Sequence, residues 1–211
     1  MLVHFTLIKV MPEKVQEAAD VLVGSKLLEY FLKAKGLHHG SLSQSAEEPG
    51  KLLSLSMWES LADAQAVFTD PNYAALVGEL RNLLIAAPVR IAHNVLQWHV
   101  NRALPADQPL FIHNTIVTVA PENTQKLLSV LYSEKIMDLM KTIDPFIMSY
   151  AFESYDEPGR IVSMSWWQSA AGAQETFSRP EYVSLVGELG KFFIKTPERQ
   201  RYNLLKVIRH D

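Results

Sequence analysis

Histidine, hydroxyl and tryptophan side chains alternate along segments that look like β-strands, and the whole pattern occurs twice. The first copy of the pattern comprises His4, Thr6, Ser54, Ser56 and Trp58, and the second comprises His113, Thr115, Ser163, Ser165 and Trp167. Residues two apart on a strand share a face, so each set is predicted to form one polar patch. Histidine suits the role of base or hydrogen-bond donor toward a ligand, because its reference pKa is near neutral. The hydroxyls would hold the polar edge of a planar ligand on which the tryptophan stacks.

Residues from neighbouring segments are predicted to join each patch. They are Phe68, Tyr73 and Asn94 in the first copy, and Phe177, Tyr182 and Asn203 in the second. Arg90 and Arg199 begin the last strand of each copy, where they either bind a substrate carboxylate or remain at the surface. Two interpretations stay open. One is a small-molecule pocket in each copy with His4 and His113 as catalytic residues; the other is a core in which polar groups are satisfied and aromatic rings fill space.

Several kinds of chemistry are disfavoured by what the sequence lacks. The chain has no cysteine, which excludes disulfides, thiolate metal sites and cysteine nucleophiles. It has no Gly-x-Ser-x-Gly elbow for a serine nucleophile and no glycine-rich phosphate loop. His38 and His39 have no partner cluster that would complete three metal ligands. We therefore predict no metal site.

The composition is that of a folded protein with an apolar excess. Of 211 residues, 48% are hydrophobic and 20% charged, and 20 Lys and Arg against 23 Asp and Glu give a net charge of -3. This balance disfavours disorder and nucleic-acid binding. No apolar run approaches the roughly 20 residues of a membrane-spanning helix. Because Met1 leads directly into an apolar segment with no basic stretch, we expect no export and a cytoplasmic location.

The sequence repeats itself at a constant offset without a gap. Matching segments are Glu48-Pro49-Gly50 with Glu157-Pro158-Gly159, Trp58 with Trp167, and LVGEL at 76–80 with LVGEL at 185–189. This indicates duplication of a unit of about 100 residues, an ordinary domain size. We predict a first domain over residues 1–100, a linker over 101–109 and a second domain over 110–211. These two domains are called the first and second copy below.

Each copy is predicted to contain strands and helices in the order β-α-β-β-α-β. The expected strands are 2–10, 37–45, 51–58 and 90–99, then 110–119, 146–154, 160–167 and 199–209. In the first copy, one helix starts at Pro12 and continues to about Lys33, and another opens at the capping box 60–63 and restarts at Pro71. This order is the ferredoxin-like α+β unit, with helices on one face of an antiparallel sheet. Since the other face is also apolar, we predict that the two sheets pack into one pseudo-twofold barrel.

The strand order, the Pro-Glu helix start, the strand end at 56–60 and the segment 70–73 resemble the antibiotic-biosynthesis-monooxygenase-like family. The resemblance covers nearly all of both copies. It implies a dimeric α+β-barrel fold in a tandem, fused form, and hence a monomeric pseudo-dimer or a homodimer of it. Family enzymes of the quinol and anthrone type oxidise electron-rich aromatics with O2, without metal or flavin. The resemblance therefore implies a cofactor-independent monooxygenase whose partner is a small aromatic or quinol-like molecule.

The chain departs from the family pattern where family members often carry histidine. Those places hold Val67 and Asn72 in the first copy, and Thr176 and Glu181 in the second. The haem-degrading branch needs a strand Asn with a helix Trp and His, and its positions fall on Thr6, Val67 and Val77, and on Thr115, Thr176 and Val186. Haem degradation is therefore disfavoured. The missing histidines motivate an alternative function, a non-enzymatic small-molecule-binding or stress-related protein that retains the barrel.

Overall fold

The computed structural model describes residues 1–104, 110–143 and 145–209. The part of the predicted linker from residue 105 to residue 109 lies outside these described residues. Both copies contain the predicted order of strands and helices, and the first predicted helix of each copy is divided in two.

The first copy begins with a strand, and a pair of short helices follows the first and the third strand. Its elements are β1 (Leu2–Lys9), α1 (Val15–Leu22), α2 (Ser25–Leu32), β2 (Leu37–Ser45), β3 (Lys51–Trp58), α3 (Leu61–Phe68), α4 (Pro71–Gly78) and β4 (Val89–Val100). The turns Pro12–Lys14 and Glu79–Asn82 are 3-10 helices.

The second copy repeats this arrangement. Its elements are β5 (Phe111–Thr118), α5 (Thr124–Leu131), α6 (Glu134–Lys141), β6 (Phe146–Ser154), β7 (Arg160–Trp167), α7 (Ala170–Ser178), α8 (Pro180–Gly187) and β8 (Glu198–Arg209). The turns Pro121–Asn123 and Glu188–Phe192 are 3-10 helices.

The prediction of one continuous helix from Pro12 to about Lys33 is wrong. The helix stops at Leu22 and a new one starts at Ser25, because Gly24 has the extended backbone angles φ -60° and ψ 148°. Apolar residues continue at helical spacing across the break, so periodicity alone does not reveal it.

Local chemistry explains the other boundaries. Gly50 has a φ of 87°, and the Lys51 backbone N–H donates to the Glu48 carbonyl at 3.1 Å, which completes a turn with Pro49 and Gly50 at its centre. This is the arrangement that a type II turn requires. A Cβ at Gly50 would lie 2.4 Å from the Val10 carbonyl oxygen, so no other residue fits there without a shift.

The predicted capping box is also present. The Ser60 hydroxyl accepts a hydrogen bond from the Asp63 backbone N–H at 3.1 Å and caps α3. Asp70 caps α4 by accepting from the Asn72 backbone N–H at 2.8 Å, with Pro71 in the first turn. These caps satisfy N–H groups that a helix start leaves without partners.

Antiparallel pairing positions the polar residues. In the first copy, β1 pairs with both β3 and β4, and β3 pairs with β2. Hydrogen bonding joins all eight strands in the order β1-β3-β2-β8-β5-β7-β6-β4, which closes into a barrel. The predicted α+β class with two ferredoxin-like repeats and a barrel is confirmed.

Contacts group the described residues into two units that do not coincide with the predicted domains. Residues 1–94 group with those from Tyr202 onward, and residues 95–201 form the other unit. The predicted domain boundaries stay a prediction. Among the described residues, no helix has the length and apolar character needed to cross a membrane.

Helices cover the same strand face in each copy. In the first copy, Leu2 and Trp58 are buried in a cluster with Ala64 and Val67 of α3. In the second, Phe111 and Trp167 are buried with residues of α6 and α7. The even-numbered residues of β1 and β3, which include the polar set of the first copy, therefore face the helices.

Candidate functional site

A polar strip crosses three neighbouring strands of the second copy. His113 on β5 is paired with Ser165 on β7, which is paired in turn with Ser149 on β6. Two residues further along β5, Thr115 is paired with Ser163. Residues directly opposite each other on paired strands share a face, so these side chains lie together.

A cavity of about 370 Å³ is lined by part of this strip and by the helices that cover it. The lining residues are His113, Thr115, Val117, Leu127, Leu131, Ile161, Ser163, Phe177, Tyr182, Val183, Val186, Gly187, Leu189, Gly190, Phe193, Pro197 and Arg199. Ligand sites usually enclose about 300–1,000 Å³ and combine an apolar lining with a few polar groups. The size and the lining suit a small, largely apolar molecule.

Two aromatic residues from the helices lie next to the histidine. The ring centroids of His113 and Phe177 are 4.5 Å apart, and those of Phe177 and Tyr182 are 5.4 Å apart. Burial raises the pKa of Tyr182 to about 12, while the positive charge of Arg199 acts in the opposite direction. Tyr182 is therefore protonated at neutral pH and can donate a hydrogen bond.

Arg199 brings a positive charge to the cavity. It is exposed and lies among the lining residues. Its guanidinium makes no side-chain hydrogen bond or ion pair with any residue that the structure describes. A guanidinium available at the edge of a cavity can pair with an anionic oxygen of a ligand.

The first copy uses the same residue types differently. Arg90 is paired with Thr6 across β4 and β1, and its Nε donates to the Thr6 Oγ1 at 3.3 Å. A terminal nitrogen of Arg90 donates to the Tyr73 hydroxyl at 3.3 Å, and the guanidinium carbon lies 3.6 Å from the centre of the Phe68 ring. Arg90 thus packs over Thr6, Phe68 and Tyr73. The counterparts of these residues in the second copy line the large cavity.

A small pocket of about 40 Å³ remains in the first copy. It is lined by five of the predicted site residues: Thr6, Ser54, Ser56, Phe68 and Tyr73. Since one water molecule needs about 10–15 Å³, this space holds a few water-sized groups and no aromatic ring.

His4 lies outside the lining of that pocket. It is 6% exposed, and its ring meets Phe68 edge to face with centroids 5.1 Å apart. Burial lowers the pKa of His4 to about 4, with a further contribution from the charge of Arg90. His4 is therefore neutral at pH 7 and a weak base.

The two tryptophans that are predicted to stack on a ligand lie in the core. Trp58 and Trp167 are fully buried and line none of the cavities described above. Each indole N–H donates to the serine two residues earlier, Ser56 or Ser165, at 2.9 Å. Residues two apart lie on the same strand face, so the serine satisfies the indole and the tryptophan fills the core.

The two asparagines that are predicted to join the patches lie at the surface. Asn94 and Asn203 are exposed and lie outside the lining of the cavities. Asn94 is paired with Leu2 at the far end of β1, beyond Thr6 and Arg90.

The predicted residues that the structure brings together around the second-copy cavity are His113, Thr115, Ser163, Phe177 and Tyr182. Ser165 lines only an adjoining small pocket, together with Tyr132 and Ser149, which were not predicted. One feature of the sequence could have identified Tyr132 and Ser149. They carry hydroxyls where the matching positions of the first copy hold Val23 and Gly40. Within the described ranges, no three potential metal ligands cluster.

The chain has similarity to a known family and to solved structures. Residues 1–78 match the family described as antibiotic biosynthesis monooxygenase. No curated protein matches the chain.

Solved structures match over nearly the whole chain at low identity. A protein from Fusobacterium nucleatum subsp. nucleatum named as a candidate monooxygenase is 8% identical with a TM-score of 0.76, covering 99% of this chain and 94% of its own. An anthrone oxidase-like protein is 13% identical with a TM-score of 0.72, at 99% and 93% coverage. A candidate monooxygenase from Lactobacillus acidophilus NCFM is 8% identical with a TM-score of 0.73, at 99% and 96% coverage.

These likenesses at low identity show the fold of the chain. Together with the family match they confirm the resemblance predicted from the sequence. Residues 1–78 match the antibiotic biosynthesis monooxygenase family, and the whole chain shares its tandem ferredoxin-like fold with these solved structures.

Proposed function

We propose that the second copy holds the active site of a cofactor-independent oxygenase acting on a small aromatic, quinol-like molecule. The observation that carries this proposal is the 370 Å³ cavity, in which His113, Tyr182 and Arg199 join an apolar lining. The family of residues 1–78 supports monooxygenase chemistry in general. The assignment to the second copy depends on its cavity.

Each polar residue has a distinct role in this proposal. His113 accepts the proton that the substrate loses as it ionises, because a neutral imidazole is a base near neutral pH. Arg199 pairs with the resulting anionic oxygen, and Tyr182 donates a hydrogen bond to the same charge. Phe177 packs against the substrate ring.

The reaction balances without an added reductant. In an anthrone, the two hydrogens of one methylene carbon are lost and that carbon becomes a carbonyl. One atom of O2 enters the new carbonyl, and the other leaves as water with the two hydrogens. Ionisation of the substrate increases the electron density that O2 must accept, so proton removal by His113 promotes the oxidation.

The test is oxygen consumption with anthrone as substrate. We expect one O2 consumed and one anthraquinone formed per anthrone, at a rate that increases linearly with protein concentration. Heat-unfolded protein at the same concentration is the control, because anthrones also oxidise slowly in buffer.

Oxygen consumption at the buffer rate with anthrone and with a panel of quinols and phenols would contradict the proposal. If these molecules bind without turnover, the non-enzymatic binding protein predicted as the alternative is the better description.

Location and assembly belong to the same proposal. We expect the protein in the cytoplasm, with no nucleic-acid or membrane partner and with no metal or cofactor. We expect the tandem chain to be a monomer or a homodimer.

A further inference from the structure

A second, smaller pocket adjoins the large cavity of the second copy. Its volume is about 40 Å³, and it extends to Tyr132 at the end of α5 and Ser149 on β6. The residues that line both spaces are His113, Thr115, Leu131, Ser163, Phe177 and Tyr182. A ligand in the large cavity can therefore place a substituent in the small pocket.

Two hydroxyl groups in this small pocket are buried without a partner. The Tyr132 hydroxyl and the Ser149 Oγ have no hydrogen-bond partner among the described residues, and Ser149 is 7% exposed. Burial raises the pKa of Tyr132, and nearby Ser149 offsets part of the rise although no well-formed hydrogen bond joins them. Tyr132 therefore stays protonated and can donate.

Unpaired buried hydroxyls are unfavourable, because water could satisfy them in the unfolded chain. The first copy does not bury hydroxyls at these two positions, since Val23 and Gly40 occupy them. The two hydroxyls are therefore a feature of the second copy alone.

We propose that the small pocket is a specificity subsite for an uncharged oxygen substituent, hydroxyl or keto, on the ligand ring. Tyr132 and Ser149 donate hydrogen bonds to that oxygen. A volume of 40 Å³ admits such a substituent, given the roughly 10–15 Å³ that a water-sized group needs. The inference deepens the proposed function, from which it takes the position of the ligand ring in the large cavity.

The substrate class becomes narrower as a result. Arg199 lines the large cavity but not the small pocket. The preferred ligand thus carries an anionic or ionisable oxygen at one end and an uncharged oxygen at the other. A ring oxygenated at one end only would leave the two hydroxyls unpaired.

The experiment compares two rigid ligands by isothermal titration calorimetry. The ligand 2-naphthoate has the anionic end only, whereas 6-hydroxy-2-naphthoate adds a hydroxyl at the opposite end. We expect the hydroxylated ligand to bind the intact chain about tenfold more tightly, the effect of one or two hydrogen bonds to buried donors. In the double variant Y132F/S149A, we expect the difference to fall below about twofold.

The control is Y30F, which removes a tyrosine hydroxyl that bonds Asp70 in the first copy and should keep the tenfold preference. Equal affinities in the intact chain, or a tenfold preference retained by the folded double variant, would overturn the subsite. Binding of neither ligand would overturn both the subsite and the proposed site. A tenfold preference without oxygen consumption would support the subsite and refute only the oxygenase.

Discussion

The two copies place the same four residue types, Thr, Phe, Tyr and Arg, around their helix-covered strand face. Only in the second copy do these residues line a large cavity. In the first copy, the Arg90 guanidinium lies on Phe68 and donates to Thr6 and Tyr73. In the second, Thr115, Phe177, Tyr182 and Arg199 line a cavity of about 370 Å³. These four residue types are thus the same in both copies, and the conformation of the arginine side chain decides which site has room for a ligand.

Differences in residue type add to this contrast. Leu42 in the first copy corresponds to Ala151 in the second, and Arg81 corresponds to Gly190, which lines the cavity. Smaller side chains leave more open space near the strip. Gly40 and Val23, by contrast, correspond to the hydroxyl-bearing Ser149 and Tyr132. The second copy therefore has smaller side chains at these two positions and two additional hydroxyls in the adjoining small pocket.

The largest expected effect concerns the buried tryptophan that each copy has at the same position. Trp58→Ala and Trp167→Ala should each lower the free energy of unfolding by about 3–5 kcal/mol, because each indole is fully buried in a core cluster. Urea unfolding at constant pH measures both. If Trp167→Ala instead left stability intact and abolished ligand binding, Trp167 would be a residue that stacks on the ligand.

The next effect separates the two histidines. His113→Gln should reduce kcat for anthrone oxidation by about 100-fold or more, the usual size of a lost general base. His4→Gln should leave kcat within about twofold, since His4 lies outside the pocket lining. Steady-state oxygen consumption on folded variants decides between them. Similar losses for both histidines would remove the distinction between the copies.

The pH dependence of stability follows from His4. Its pKa falls from 6.5 to about 4 on folding, so the unfolded chain binds more protons between these values and acid destabilises the fold. Between pH 7 and pH 5 this group should lower the free energy of unfolding by about 2 kcal/mol. Urea unfolding at pH 7 and pH 5 measures this loss. In His4→Gln, the difference in the free energy of unfolding between the two pH values should be smaller by about 2 kcal/mol. An unchanged dependence would mean that His4 titrates normally.

The smallest effects concern the two arginines. Arg90→Met removes two hydrogen bonds and a ring contact, and should cost about 1 kcal/mol of stability with catalysis unchanged. Arg199→Met should raise KM for an anionic substrate about tenfold, the loss of one ion pair with the ligand. Thermal unfolding and substrate titration measure the two quantities. If Arg90→Met raised KM and Arg199→Met lowered only stability, the active site would lie in the first copy.

Much of the fold can be predicted because the repeat presents every element twice. The Glu-Pro-Gly turn, the Ser60 cap and the alternation of β1 with β3 are short-range patterns with direct structural consequences. The break at Gly24 could not be predicted, because the apolar spacing of α1 continues into α2. A glycine at the start of a helix is compatible with either outcome until its backbone angles are known.

The candidate site was predictable only in part. Strand alternation predicts that His113, Thr115 and Ser163 share a face, but it cannot tell a tryptophan that binds a ligand from one satisfied by the serine two residues earlier. The sequence also shows Arg90 and Arg199 as equivalent. Their conformations differ although Thr, Phe and Tyr neighbours are the same types in both copies, and nothing in the structure explains why.

We expect the second copy to bind the ligand, because Arg90 fills the corresponding space in the first copy. A crystal structure with bound 6-hydroxy-2-naphthoate tests it most directly. We predict one ligand per chain, with its carboxylate at Arg199 and its hydroxyl at Tyr132 and Ser149, and with Arg90 still on Phe68. A ligand in the first copy with Arg90 displaced, and the second cavity filled by side chains, would contradict the account.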